Sequence, residues 1–269
     1  MPTQQLKLEN RAALRLSGKD VREFLQGLIT SDITDVAPSQ ALYAALLTPQ
    51  GKYLFDMIIV ADGDDLLLDI EAERKPQLMQ RLTMYKLRAD VTITEEDTSV
   101  WVLWPDAENA EVAAGISYTD PRHKALKIRV ISKNMPCPDA ERLPYTIYEE
   151  RRIRHGVPDG SRDMCAEKYF WLETGAEKLN GVSFTKGCYV GQELTARMKH
   201  RTDLKKMLIP VKLSGPAQTG DLISNTEGKN AGEIRTVANG YALAYLRLAF
   251  KDDTLLVNGH TLGIHLSSD

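Results

Sequence analysis

Six short apolar segments fill roughly the last 65 residues and constrain the fold more than any other feature. In chain order they are MLIPVKL, DLISN, AGEIRTV, YALAYLRL, TLLVN and HTLGIHL, with Gly, Asn and Asp residues between them. Short apolar runs separated by turn-forming residues are typical of antiparallel strands. Six such strands at this spacing predict a small antiparallel barrel or sandwich.

The chain before residue 205 combines a hairpin with helices. The N-cap residue Ser17 and helical spacing predict a helix over 17 to 29, and a second helix is expected over 73 to 89. Between them, the apolar runs 41 to 47 and 53 to 61 flank the turn sequence TPQGK, which predicts a hairpin. Because hairpin strands lie between the helices, without strict βαβ alternation, the pattern favours an α+β fold.

A polar stretch broken by proline and glycine, residues 105 to 122, indicates a domain boundary. A second boundary is indicated after about residue 203, where the sequence changes to short apolar strands separated by turn residues. The sequence therefore predicts three domains: an N-terminal α+β domain (1-112), a second α+β domain (113-203) and the C-terminal β-barrel (204-269).

Charge and cysteine usage exclude several classes of protein. The 34 Lys and Arg against 37 Asp and Glu give a net charge of -3, which excludes a polybasic binder of the histone kind. Cys137, Cys165 and Cys188 are far apart and form no CxxC pair. They exclude a disulfide scaffold and a self-sufficient four-cysteine zinc or iron–sulfur site.

The same features indicate a compartment. Three dispersed cysteines suit a reducing environment. The first 16 residues carry four charges and no apolar centre, which is unlike a signal peptide, and the longest apolar run, 41 to 47, is too short to span a membrane. We therefore expect a soluble cytoplasmic protein without a membrane partner.

The most unusual segment surrounds Cys188, in the run NGVSFTKGCYVGQELTAR. Lys186 precedes the thiol by two residues, and Gly191 and Gln192 resemble the start of a helix. A helix N-terminus and a nearby lysine both favour the thiolate, which is the nucleophile and the soft-metal ligand. The alternative is a buried thiol in a tight turn, since free cysteine is among the most buried residue types.

The segment 186-206 is locally basic. It holds six Lys and Arg against two acids, an excess of four positive charges. Such a surface suits a phosphate, a polycarboxylate such as a glutamylated cofactor tail, or RNA. The alternative is a solvated linker before the barrel.

The octapeptide KGCYVGQE, residues 186 to 193, resembles the K-G-C-Y-x-G-Q-E signature of YgfZ-type proteins. These are folate-binding relatives of the glycine-cleavage T-protein, an aminomethyltransferase, and the longer run around Cys188 is most similar to their iron–sulfur assembly branch. Residues 18 to 33 and 45 to 59 resemble the helix motif and first hairpin of that superfamily. The resemblance implies a bipartite folate-binding α/β unit and a C-terminal antiparallel barrel, arranged as a ring around a channel.

The resemblance also implies roles for single residues. It assigns catalytic candidates, Cys188 and Lys186, and an acid on the pterin ring, Glu173, since a carboxylate accepts paired N–H bonds. Further cofactor contacts are implied at Gly187, Tyr189, Gly191, Gln192, Glu193, Arg197 and Asp56. Phe55 replaces one of two adjacent aspartates of the T-protein, which counts against aminomethyl transfer because that reaction needs a placed acid or base.

Three functions follow as hypotheses. The first is a folate-binding accessory factor for assembly or repair of iron–sulfur proteins, which uses tetrahydrofolate or a one-carbon derivative. It has no metal site of its own, because one cysteine cannot hold a cluster without an assembly or client partner. The second is a folate-dependent one-carbon transferase, aminomethyltransferase-like or tRNA-modifying. The third is a non-catalytic RNA- or protein-binding module.

Overall fold

The computed structural model describes residues 3–38, 40–104, 112, 114–201 and 204–265. The strands are β1 (Gln4–Lys7), β2 (Arg11–Ser17), β3 (Leu42–Leu47), β4 (Tyr53–Asp62), β5 (Asp65–Glu71), β6 (Thr92–Glu95), β7 (Ser99–Trp104), β8 (Ile116–Thr119), β9 (Ile128–Ser132), β10 (Glu141–Arg142), β11 (Lys206–Leu213), β12 (Leu222–Asn225), β13 (Asn230–Ala238), β14 (Tyr241–Arg247), β15 (Leu255–Val257) and β16 (His260–Ile264). The helices are α1 (Val21–Gln26), α2 (Lys75–Lys86), α3 (Tyr145–Arg154), α4 (Gly160–Asp163) and α5 (Gln192–Arg201).

The first sheet has the antiparallel order β3-β4-β5-β2-β6. Alternate side chains of β3 enter two different cores: Ala44 packs with the buried faces of α1 and α2, while Ala45 packs towards the second sheet. A strand buried on both faces reads as a continuous apolar run, which is why the sequence indicated this hairpin clearly. The hairpin lies where it was expected.

Helix α1 is shorter than predicted and ends at Gln26. The following residues turn back to the first sheet, where Ile29 forms a bridge with Leu46 and the Thr30 N–H donates to the Ala45 carbonyl at 3.0 Å. Backbone pairing with β3 therefore replaces the last helical turn.

The second sheet has the order β10-β1-β7-β9-β8, and its β1–β10 pair is parallel. Its strands come from both sides of residue 112, so the two α+β parts share one sheet and one core. The division at 112 and 203 stays a prediction. Residues 141 to 142 form an edge strand, and α3 begins only at Tyr145, directly after Pro144.

The first two strands were not predicted, because their Lys and Arg residues, with Glu9 between them, resemble a charged terminus. Arg15 in β2 is satisfied by Asp62, Asp65 and Glu96 from neighbouring segments. Arg11 donates to Asp69 at 2.7 Å in the core. Distant carboxylates thus allow a charged segment to pair within a sheet.

The C-terminal strands form a closed barrel of order β11-β14-β13-β12-β15-β16. Strand β11 pairs with both β14 and β16, which closes the structure and decides between barrel and sandwich. Its interior is a separate core that includes Val211, Ile223, Ile234, Leu246 and Val257. The predicted α+β fold with a C-terminal antiparallel barrel is confirmed.

A chain of buried charges crosses the α+β region. Asp69 accepts from Arg11 at 2.7 Å and from Arg129 at 2.6 Å. Asp120 accepts from Arg129 and Arg122, both at 2.8 Å. Each arginine faces a carboxylate, as buried charges require.

Candidate functional site

The turn between β3 and β4 contacts the segment that leads to Glu173. Lys52 forms a bridge with Phe170, and its ammonium donates to the Lys168 carbonyl at 2.9 Å. The Tyr53 N–H donates to the Tyr169 carbonyl at 2.9 Å. The hairpin therefore fixes the approach to the predicted pterin-binding acid.

The same turn packs on the Cys188 loop through two glycines. Gly191 has φ +84°, and a Cβ there would lie 2.6 Å from the Thr48 carbonyl oxygen and 3.1 Å from the Gly51 Cα. Only glycine fits such a close approach in this backbone conformation. Two segments that carry the family resemblance thus meet at one point.

Lys186 anchors the loop from its other side. Its ammonium donates at 2.8 Å to the carbonyls of Gln26, Ile29 and Ser31, which uses all three of its hydrogens. Burial lowers the pKa of Lys186 to about 8, while Asp32 opposes that shift. An ammonium engaged in this way is not available to a neighbouring thiol.

Cys188 is exposed, as are Gly187, Glu193 and Arg197. The thiol precedes the first residue of α5 by four positions, and the predicted start of that helix near Gln192 is confirmed. The alternative of a buried structural thiol does not hold for Cys188. Its exposure leaves it free to react or to bind a shared metal.

Tyr189 and Gln192 connect the loop to the protein interior. Tyr189 is buried, and the Lys186 ammonium lies 5.3 Å from its ring centre. Burial raises the pKa of the Tyr189 hydroxyl. Gln192 is half-buried at the start of α5. The buried Tyr189 side chain anchors the loop, while Cys188 lies in its exposed part.

Glu173 lies at the junction with the barrel. It is 7% exposed, and its Oε2 accepts from the Tyr245 hydroxyl at 2.7 Å and from the Phe170 N–H at 3.0 Å. Burial raises the pKa of Tyr245, and the bond to Glu173 raises it further. The Glu173 carboxylate is therefore buried between its own segment and the barrel, and it does not lie on the surface.

Next to Glu173 is a cavity of about 340 Å³. The rings of Tyr169 and Tyr245 stack at 3.8 Å in its wall, and the Tyr169 hydroxyl donates to Glu233 at 3.0 Å. Three cations also line it, namely Lys168, Lys206 and Arg247. The cavity thus combines a carboxylate, aromatic rings and positive charge. We call it the junction cavity.

Tyr169, Tyr245 and Glu233 were not among the predicted site residues. Of these, Tyr245 has a signal in strand alternation: Ala244 and Leu246 face the barrel core, so Tyr245 faces outward. An aromatic side chain on the outer face of a barrel strand indicates a covered surface. What covers it, the Glu173 segment 72 residues earlier, cannot be read from local pattern.

Asp56 lies elsewhere. It is 3% exposed and accepts from the hydroxyls of Tyr43 at 3.2 Å and Tyr53 at 2.8 Å. The space beside it has no room for a water molecule. Burial and the Asp56 charge raise the pKa of both tyrosines well above 10. The geometry gives Asp56 a packing role.

The basic segment 186-206 does not form a continuous cationic face. Lys186 is buried, Lys199 pairs with Glu177, and Lys206 lines the junction cavity. Arg197 and Lys205 are exposed. The five cationic side chains of this segment that the structure describes are thus divided among several roles, and their arrangement gives no support to an RNA contact.

Among the residues that the structure describes, no group of three or more His, Cys, Asp or Glu side chains could hold a metal ion. In the same part of the chain, no helix combines the length and apolar character needed to cross a membrane.

Comparisons with known proteins identify a matching family model and several relatives of the chain. Residues 205–268 match the family model "CAF17, C-terminal beta-barrel domain". The human mitochondrial iron–sulfur cluster assembly factor IBA57 is 30% identical over 271 residues, which cover 89% of this chain and 76% of that protein. An IBA57 homologue of Coccidioides immitis is 32% identical over 242 residues, 77% of this chain. The chain spans about half the length of such fungal relatives, 56% and 52% in two cases.

A solved structure shows the same fold. The glycine cleavage system aminomethyltransferase T of Bartonella henselae superposes with a TM-score of 0.81, which covers 98% of this chain and 85% of that one. The identity is 13%, so this likeness concerns the fold alone.

The predicted cytoplasmic location is contradicted by these comparisons, because the relatives are named as mitochondrial proteins. Dispersed cysteines indicate a reducing compartment but do not identify which one.

The T-protein fold, the KGCYVGQE loop and the identity to human IBA57 across most of both chains agree with one another. The chain therefore belongs to the IBA57 family of iron–sulfur cluster assembly factors, within the YgfZ and T-protein superfamily.

Proposed function

We propose that this protein is a folate-binding accessory factor for the assembly or repair of iron–sulfur proteins. The observation that carries the proposal is the convergence of three segments: the β3–β4 turn contacts both the Glu173 segment and the Cys188 loop. The human relative IBA57 is named an iron–sulfur cluster assembly factor, and this supports the same function.

The junction cavity has the chemistry that tetrahydrofolate requires. The pterin edge carries N–H donors, for which the Glu233 carboxylate in the lining and the Glu173 carboxylate, bonded to Tyr245 in the wall, are acceptors. Tyr169 and Tyr245 supply aromatic contact, and Lys168, Lys206 and Arg247 suit the carboxylates of a glutamate tail. A volume of about 340 Å³ lies within the range of small-molecule sites. Bound folate would supply one-carbon chemistry.

Cys188 is proposed as one ligand to a cluster that passes between proteins. It is exposed, and the described residues offer no metal-binding group around it. Because clusters are held by several thiolates, the remaining ligands would come from an assembly or client protein. Lys186, whose hydrogens are all engaged, is proposed as a positioning residue that holds the loop.

Folate binding is tested by calorimetry with tetrahydrofolate on the wild type and the Glu173→Gln variant. We expect the substitution to weaken binding by about tenfold or more, since a hydrogen bond to a charged group contributes about 1.5–3 kcal/mol. Glu177→Gln, an exposed acid four residues away, is the matched control and should bind like the wild type. No binding by the wild type would remove folate from the proposal.

The cysteine is tested in cells depleted of their own IBA57, where activities of iron–sulfur enzymes are measured after complementation. Cys188→Ser should fail to restore them, while its melting temperature should stay close to that of the wild type because the side chain is exposed. Cys137→Ser changes a thiol in another loop and should restore activity. Full rescue by Cys188→Ser contradicts the role of the thiol.

One-carbon transfer of the T-protein type is the weaker candidate. The Arg74 guanidinium lies 4.2 Å from the Phe55 ring centre, so position 55 serves packing. Asp56, the remaining carboxylate, is buried beneath tyrosine hydroxyls. No described acid at this hairpin thus faces a space that could hold a substrate.

A further inference from the structure

A second cavity, of about 580 Å³, lies between α3 and the turn that precedes β9. It shares no residue with the junction cavity. Apart from Ala125 and Ile147, its lining consists of charged residues on α3 and the turn, together with the imidazole rings of His123 and His155. Its concave shape and volume are typical of sites for small molecules.

The cavity is strongly positive. Four Lys and Arg against one Glu give it a formal charge of +3, in a chain whose net charge is -3. Glu150 is already engaged, by Arg154 at 3.3 Å and by the Asn239 side chain at 3.0 Å. Within the described residues, Lys124 and Lys127 have no ion-pair partner. The cavity therefore has positive charge that the fold does not neutralise.

Two of the cations are held by aromatic rings. The Arg151 guanidinium lies 3.6 Å from the Trp104 ring centre, and that of Arg154 lies 5.0 Å from the Tyr241 ring centre. Burial and the neighbouring Arg154 lower the pKa of Arg151. Stacked guanidinium groups are preorganised for planar, bidentate recognition of phosphate.

The histidines supply an independent observation. The rings of His123 and His155 stack at 4.1 Å. The Nδ1 atom of His155 is buried and has no hydrogen-bond partner among the described residues. A buried polar atom without a partner is uncommon and is explained by a water or a ligand. Burial lowers the pKa of His155 to about 4, so the ring is neutral at pH 7.

We propose that this cavity binds a small phosphorylated anion of the diphosphate or triphosphate class. Three uncompensated charges match the charge of such a group, and the arginine pair matches its geometry. The site is independent of the folate proposal, because it lies on other elements.

The test is calorimetric titration of the full chain with inorganic pyrophosphate. The variant Lys124→Gln/Lys127→Gln changes two exposed side chains and should weaken binding by about tenfold or more, as expected for lost bonds to charged groups. The matched control, Lys19→Gln/Lys251→Gln, removes two exposed lysines elsewhere and should bind like the wild type. Absence of binding to the wild type, or an equal loss in the control, overturns the proposal.

Discussion

The ammonium group of Lys186 lies where three backbone carbonyls converge, and this changes how the family signature is interpreted. From sequence, a lysine two residues before Cys188 was expected to favour the thiolate. The structure directs the side chain away, into the turn after α1. Sequence spacing identified the right loop but could not give the direction of a long, flexible side chain.

We expect Lys186→Met to lower the free energy of unfolding by about 2 kcal/mol or more, because three carbonyls lose a charged donor. Urea unfolding measures the change. Lys199→Met, which removes an exposed pair with Glu177, is the control and should have little effect. Equal stability of the two variants would argue against the anchoring role.

At the scale of elements, the β3–β4 turn and the start of α5 form one unit. Gly51 and Gly191, both with positive φ, bring their backbones into contact. The hairpin and the helix start were each predictable from local periodicity and turn residues. Their contact was not, because 140 residues separate them and a glycine contact leaves no apolar pattern.

The glycines of the loop provide a matched pair for testing this contact. Gly191→Ala should destabilise the protein by about 1–3 kcal/mol, because its Cβ would lie 2.6 Å from the Thr48 oxygen in a strained backbone conformation. Gly187→Ala should change stability little, since nothing lies within 4 Å of its Cβ position. Thermal unfolding of both variants measures the difference.

On the scale of the whole molecule, the ion-pair chain joins parts that composition alone would not connect. Arg11, Asp69, Asp120 and Arg129 belong to strands or turns of both sheets. The number of charged residues was plain from the sequence, but not which of them are buried. Burial of an arginine depends on a distant partner, so β1 and β2 were missed while the apolar hairpin was found.

The lowered pKa values of the buried carboxyl groups Asp69, Asp120 and Asp159 predict that the fold loses stability in acid. Burial acts to raise the pKa of Asp159, but Arg152 and Arg11 outweigh it and lower the pKa from 3.8 to about 2. Arginines lower the pKa of Asp69 and Asp120 in the same way against burial. A carboxyl group with a lowered pKa stabilises the fold above about pH 4, and that contribution is lost as the pH falls towards 2.

Urea unfolding at pH 7, 4 and 3 should therefore show a loss of stability that sets in near pH 4 and reaches about 1 kcal/mol from Asp159 alone at pH 3. Asp159→Asn should flatten this dependence, whereas Asp64→Asn, at an exposed position, should not. A pH profile unchanged by Asp159→Asn would contradict the assignment.

The pairing of β1 with β10 has a consequence for synthesis. Gln4 lies beside Glu141, so the first strand meets its last neighbour only after about 140 residues have left the ribosome. At 5–20 residues per second this takes about 7 to 28 seconds. The first sheet, complete at residue 95, can form earlier. Strand β1 can pair with β7 once residue 104 is made, but its other edge stays unpaired until β10 follows, which gives a chaperone a defined interval in which to bind.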